Sequence, residues 1–272
     1  MNSFYLFFYD TTIKDLLLEE LQKKHPKLTL SFSNKEIISM KGPSGYAKYL
    51  EDRPVIFSKR QALFIEKTKE NDETKESILV GKDYWVYETI DTYNDFLELP
   101  EIEMPEQSPA RAWHKMREAH EQFALDIERG QQVIEIGSAP GGISYYLLEL
   151  GVNLVCIDPA EMSPVLSQNY QSSFKHIKES VFEIKKFMLP KTCDWIISDL
   201  NLKGDLNLDQ TRRLMSFYPQ LKGAFLTVKT PTIKDLKKIN IWANSFNEGF
   251  EAIVTHLPSH RREIGIIVYN TL

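Results

Sequence analysis

"VIEIGSAPGGISYYLLELGVNLVCID" (residues 133–158) runs a β-branched segment into a glycine-rich loop, and ends a second apolar segment on an acid, Asp158, 21 residues after Gly137. "QVIEIG" has the β-branched density of a strand, "GGISYYLLEL" reads as a helix starting on the glycines, and "NLVCID" as the next strand. Strand, loop, helix, strand is the unit from which parallel sheets are built. The loop reads Gly137-Ser138-Ala139-Pro140-Gly141-Gly142, whereas a dinucleotide-binding turn reads G-x-G-x-x-G.

The same rhythm continues toward the C-terminus. "FKHIKE", "DWIISD", "GAFLTVKT", "FEAIVTHL" and "EIGIIVYNT" read as further strands, with helices at about 109–128, 207–221 and 232–247. Alternation of this kind predicts an α/β Rossmann-like domain with a mostly parallel seven-stranded sheet. Only "PSHRR" separates the last two strands, too short for a crossover, so they must be antiparallel neighbours.

The N-terminal part has a β-α-β-β pattern. "FYLFFY" is a strand, and "TTIKDLLLEELQKKHP" a helix capped by Thr11 or Thr12 and stopped by Pro26. "KLTLSFS" and "EIISMKG" follow as strands around "NK", "RPVIFSKRQALFIEKT" supplies one or two more, and "YWVYETI" another after the polar loop "KTKENDETKES". The acidic, proline-punctuated stretch at 98–108 reads as a linker between a small α+β domain at 1–97 and the Rossmann-like domain at 109–272.

The only two cysteines, Cys156 and Cys193, form no CxxC, which argues against a disulfide framework or zinc knuckle and fits a reducing cytoplasm. "FYLFFY" is too short for a membrane span or secretory segment, and no apolar run approaches 18 residues, so no membrane segment is expected. A net charge of −5 argues against an indiscriminate nucleic-acid binder. Charge is uneven, however: residues 51–100 carry seven Lys/Arg against twelve Asp/Glu, and residues 201–272 ten against six. Solvated helix faces are the plainer explanation. A phosphate-contacting surface, if present, belongs to the C-terminal part, with Lys203, Arg212, Arg213, Lys234, Lys237, Lys238, Arg261 and Arg262 as candidates. His256 and His260 are four apart, but Pro258 rules out a helical metal pair, so they read as surface histidines and no metal site is expected.

The loop suits S-adenosylmethionine (SAM), which has one nucleoside and no pyrophosphate. Gly137, Gly141 and Gly142 let the backbone approach a ligand closely, while Pro140 removes an amide that a diphosphate would use. Asp158, at a strand end, can accept both ribose hydroxyls. The expected cofactor contacts are Gly137, Ser138, Ala139, Pro140, Gly141, Gly142 and Ile143, with Asp158, Glu179 and Asp199 at strand ends. An NAD(P) oxidoreductase is the alternative that Pro140 disfavours.

Four polar residues fall at the same expected rim: Lys115 in the helix before the first strand of the sheet, Asp199 ending "DWIISD", Lys229 ending "GAFLTVK", and Glu263 opening "EIGIIVY". Together with "SPARAWHK", "GSAPGG", "SDLN", "FLTVK" and "RREIGIIVY", they resemble the FtsJ-type SAM-dependent ribose 2′-O-methyltransferases across residues 108–270. That family's K-D-K-E tetrad falls on Lys115, Asp199, Lys229 and Glu263. "VKTPTIKDL" and the N-terminal segments resemble the bacterial branch acting on a cytidine of 23S rRNA, whose first domain is ferredoxin-like and RNA-associated.

The resemblance implies SAM as cofactor and RNA, most specifically 23S rRNA, as partner. Lys229 would be the base: burial and Lys115 would lower its pKa of roughly 10.4, the Asp199 carboxylate would oppose that, and which effect wins is left open by the sequence. Asp199 would orient Lys229, and Glu263 would position Lys115 or the ribose. Alternatives remain open: Lys229 steering the hydroxyl as a cation, the same chemistry on tRNA or an mRNA cap, or a non-catalytic SAM- and RNA-binding assembly factor. Oligomeric state has no signature in the sequence.

Overall fold

Alternating apolar residues give the N-terminal part a sheet with two buried faces. In a computed structural model describing residues 2–97, 99–100, 102–230, 232–246 and 249–271, the chain divides into two compact units, Met1–Leu99 and Pro100–Leu272. Glu98 and Glu101 of the expected linker, Pro231, and Asn247 of the expected helix at 232–247 lie outside the described residues.

The first unit runs β1 (Asn2–Phe8), α1 (Lys14–Lys24), β2 (Thr29–Ser33), β3 (Ile37–Pro43), α2 (Tyr46–Asp52), β4 (Arg60–Thr68), β5 (Ser77–Val80) and β6 (Asp83–Thr89). Its sheet has the order β2-β3-β1-β4-β6-β5, each described pair antiparallel. Successive β1 side chains point to opposite faces. Tyr5, Phe7 and the α1 leucines Leu16, Leu17 and Leu21 are fully buried, while Leu6 and Phe8 pack with Ile37, Trp85 and Tyr87. Helix α2 and strand β5 were not anticipated. A 3-10 turn, Thr11–Ile13, leads into α1, and its N-cap is Asp10 rather than Thr11 or Thr12: the carboxylate accepts the Thr12 amide at 2.9 Å and hydroxyl at 2.7 Å, while α1 itself follows Ile13 with no side-chain cap. A carboxylate is also favoured over a hydroxyl at the positive end of a helix.

The second unit runs α3 (Ala112–Gln122), β7 (Gln132–Ile136), α4 (Gly142–Glu149), β8 (Asn153–Ile157), α5 (Pro164–Asn169), β9 (Phe174–Ile177), β10 (Trp195–Ser198), α6 (Gly204–Met215), β11 (Gly223–Lys229), α7 (Ile239–Ala243), β12 (Phe250–Thr255) and β13 (Glu263–Asn270). The seven strands lie in the order β12-β13-β11-β10-β7-β8-β9. β7 to β11 pair in parallel, and β13 is antiparallel to β11 and β12, as the short "PSHRR" connection requires. The sheet core holds Val133, Ile134, Ile196, Ile197, Phe225, Leu226, Ile266 and Ile267, all fully buried. This is the Rossmann-like fold expected.

Helix boundaries moved where local chemistry overrode periodicity. The helix expected to 128 ends at Gln122 because Ala124 turns left-handed (φ 44°); Leu125 and Ile127 still enter the core, but as irregular chain. The helix expected at 207–221 starts and stops earlier, as α6. That expected at 232–247 is a 3-10 turn, Ile233–Lys238, followed by the short α7. α5 was not anticipated.

Candidate active site

Ends of five parallel strands meet on one rim. Gly137 follows β7, Asp158 follows β8, Glu179 lies two residues past β9, Asp199 follows β10, and Lys229 closes β11. Glu263 opens antiparallel β13 and is the register partner of Lys229, so it starts where its neighbours stop. β7 and β10 are adjacent, with β8 and β11 on their outer sides; this is the switch point at which open α/β sheets bind ligands.

The loop is fixed by contacts only glycine permits. Gly137 has φ +74°, and a Cβ there would lie 2.9 Å from the Asp199 carbonyl and from Leu200 Cα. A Cβ on Gly142 would lie 2.4 Å from Ala110 O, at the entry to α3. The backbone therefore runs between the end of β10 and the start of α3. Asp158 braces it, accepting the Ala139 amide at 3.1 Å and the Ala160 amide at 2.8 Å. A carboxylate has about four lone-pair sites, so capacity remains for ligand hydroxyls. Of the other expected contacts, Ser138 and Ile143 are buried, Pro140 follows a cis peptide, and Glu179 is exposed to solvent.

A line of alternating charge crosses the rim. Lys115 Nζ, from α3, lies 3.0 and 3.1 Å from the two Asp199 carboxylate oxygens and 2.8 Å from Glu263 Oε1. Lys229 Nζ lies 2.5 Å from Glu263 Oε2. The line Asp199–Lys115–Glu263–Lys229 runs from a buried middle to an open end: Lys115 and Glu263 are 5% and 3% exposed, the Lys229 side chain 36%. Buried charges are tolerated when each has opposite partners. Burial alone would raise the Glu263 carboxyl, but the His260 ring and the Lys115 and Lys229 ammonium groups outweigh it and hold it down at about 2. One expectation is corrected: Asp199 pairs with Lys115 rather than orienting Lys229, whose carboxylate partner is Glu263. The Lys229 side chain is part-exposed, and Lys115 is enclosed by two carboxylates.

Sequence reasoning missed Glu135. It sits inside β7, 1% exposed, accepts the Ser144 hydroxyl at 2.5 Å, and is approached by the Cys156 thiol at 3.7 Å. Burial, reinforced by the charges of Asp199 and Asp158, pushes its carboxyl up to about 8. The available signal was an acid at an inward strand position, in "VIEIG".

His256 and His260 are not surface histidines: they are 1% and 4% exposed. Their turn is drawn inward by Glu118 of α3, which accepts the Ser259 amide at 2.9 Å and hydroxyl at 2.6 Å. Among the proposed phosphate contacts, Arg213 is committed to the carbonyls of Ile184 and Val181, Arg212 to Ser245 O and Asp209, and Lys238 to Asp205. Lys203, Lys234, Lys237 and Arg261 are exposed.

Among the described residues no group of three metal-ligating side chains occurs, and no helix is long and apolar enough to cross a membrane. Residues 109–269 match the FtsJ-like methyltransferase family. The chain belongs to that family. Ribosomal RNA large subunit methyltransferase M of Histophilus somni (strain 129Pt) is 26% identical to this FtsJ-like chain over 191 residues, 62% of this chain and 50% of that one. Its counterpart in Marinomonas sp. (strain MWYL1) is 30% identical over 181 residues, covering 61% and 50%. The FtsJ-like chain spans about half the length of these relatives. Among solved structures, the Methanococcus jannaschii fibrillarin pre-rRNA processing protein is similar with a TM-score of 0.47 at 10% identity, covering 90% of this chain and 98% of that one.

Proposed function

We propose that this FtsJ-like chain is a SAM-dependent RNA ribose 2′-O-methyltransferase whose substrate is large-subunit (23S) rRNA. The observation carrying the proposal is the Asp199–Lys115–Glu263–Lys229 line, whose Asp199 backbone packs on Gly137 of the cofactor loop. A protein that only held SAM and RNA would have no use for two buried charges on that rim. The substrate class follows from the relatives' names, and the unpaired buried cysteines suit a reducing cytoplasm.

A ribose hydroxyl is a weak nucleophile, so it must be aligned and relieved of its proton. SAM, bound at the loop, supplies an electrophilic methyl group. Everything else falls to the chain. The Gly137–Gly142 backbone and Asp158 hold the cofactor. Lys229, the open end of the line, meets the 2′-hydroxyl and takes or directs its proton at Nζ. Glu263 fixes Nζ from behind, and Lys115 ties Glu263 to Asp199 so that the line cannot swing. The N-terminal unit and the exposed cations Lys203, Lys234, Lys237 and Arg261 would hold RNA phosphates.

The test is transfer of labelled methyl from SAM to total RNA from a strain lacking the protein, with wild type and Lys229→Met compared. Label on 23S rRNA with wild type, reduced at least about 100-fold by the substitution, is the expected outcome. Label on tRNA would replace the substrate and keep the chemistry. SAM binding without transfer to any RNA would overturn the enzymatic proposal. With chemistry rate-limiting, a rate profile flat from about pH 6 to 10 would leave Lys229 as a steering cation and not a base.

A further inference from the structure

The turn between β12 and β13 is built more tightly than a link between two strands needs. Glu118 holds Ser259, the His256 ring is hydrogen-bonded to Arg261 O at 2.9 Å, and the Thr230 amide donates to Arg262 O at 2.9 Å. His260 lies inside this turn, 4% exposed, edge-on to His256 with ring centroids 5.7 Å apart. Its Cε1 abuts Gly265, where a Cβ would come within 3.3 Å of it and 3.0 Å of Phe225.

The ring's hydrogen bonding is one-sided. The Leu257 amide donates to Nδ1 at 3.2 Å, so Nδ1 must present its lone pair and the neutral ring carries its proton on Nε2. Nε2 is buried and has no partner among the described residues. A buried hydroxyl in that position can rotate to another acceptor; an imidazole already fixed at Nδ1 cannot. Buried polar groups are nearly always satisfied, and an exception calls for a reason. Filling space is a poor one, since leucine or phenylalanine would do so without a stranded donor.

The charged and titratable groups acting on the ring are Glu263 of β13, His256 after β12, Lys115 of α3 and Lys229 of β11, with Glu263 the strongest of them. Burial disfavours the charged ring, and three of these four neighbours are cationic or can become so. Glu263 has the opposite need. It is 3% exposed and neutralised on one side by Lys229. When Lys229 turns to a hydroxyl, a buried carboxylate loses that partner.

We infer that His260 is a positioning residue of this site, its Nε2–H held in reserve for Glu263 and taken up when Lys229 turns to the substrate, a role that rests on Lys229 being the group that meets the hydroxyl. Glu263 thus keeps its charge and place through turnover, and Lys229 is free to leave it.

Two substitutions separate the ring's two nitrogens. His260→Asn keeps an acceptor for the Leu257 amide and removes the distal donor. His260→Gln can place an amide N–H where Nε2 was. Single-turnover methyl transfer to protein-free 23S rRNA should slow at least about tenfold in the Asn variant, with SAM affinity and KM for RNA within about twofold of wild type, and recover in the Gln variant. An Asn variant as fast as wild type overturns the inference, as does a folded pair of variants slowed equally. If the Asn variant does not fold, nitrogen NMR of the wild-type ring decides: a neutral ring protonated at Nε2 between about pH 6 and 8 is required, and a charged ring or the opposite tautomer ends the case. Lys229→Met, run alongside, keeps the two claims apart: if it stays active the reading of the site fails, and if it is inactive while His260→Asn is unaffected, only the role of His260 fails.

Discussion

Glu135 shows how one buried side chain ties stability to pH. Its carboxyl is pushed from 4.5 up to about 8, so between those values the folded protein keeps a proton that the unfolded chain releases. Stability must then fall as pH rises through that window, and level off above it. Glu135→Gln removes the titration and leaves a carbonyl to accept from Ser144. Its melting temperature should match wild type near pH 4.5 and exceed it near pH 8, by the equivalent of ~4 kcal/mol. Equal melting curves at both pH values would show that Glu135 is ionised in the fold. This residue, like His260, was illegible in the sequence for a physical reason. A sequence shows which side chain is present, but burial depends on strands from elsewhere in the chain. The four charged residues at the rim were easier to place, since each stands at an end of an apolar segment or within one strongly patterned helix.

At the scale of elements, α3 and α4 meet through Gly142, whose missing side chain leaves room for the Ala110 carbonyl and the Trp113 amide. Trp113 closes the contact, donating its indole N–H to Glu149 at 3.3 Å. A methyl group at Gly142 has to push backbone rather than a flexible side chain. Gly142→Ala should destabilise the protein by ~2 kcal/mol and reduce methyl transfer further, because α3 carries Lys115. Urea unfolding beside an activity measurement checks this; unchanged stability would mean that the helices shift apart without strain. Elements were legible where Gly, Pro and strand-end acids mark their limits, as in β7, β8, β10 and β11. The short elements α2, β5 and α5 were not: Gly45, Gly81 and Pro164 stand at their limits, but four to seven residues are too few to show a period. Helix ends at 122 and 243 were misplaced because a left-handed residue and a 3-10 turn leave no periodic trace.

For the molecule as a whole, two compact units imply two melting events rather than one. SAM at about 100 times its dissociation constant should raise the transition of Pro100–Leu272 by ~2.7 kcal/mol and leave that of Met1–Leu99 in place. Calorimetry of the full chain reads both. A single transition that moves entirely with SAM would mean the units melt as one.

The order of strands in the second sheet also differs from their order of synthesis. β13 is made after β12 yet lies between it and β11, so β12 has no pairing partner until the later strand arrives. Glu263 is the first residue of that late strand. On a ribosome adding roughly 5–20 residues per second, the loop and three of the four charged residues emerge seconds before the residue that connects them. The glycine-rich loop can therefore be complete before the charge line is, and closing the sheet and joining Lys229 to Lys115 through Glu263 become one event.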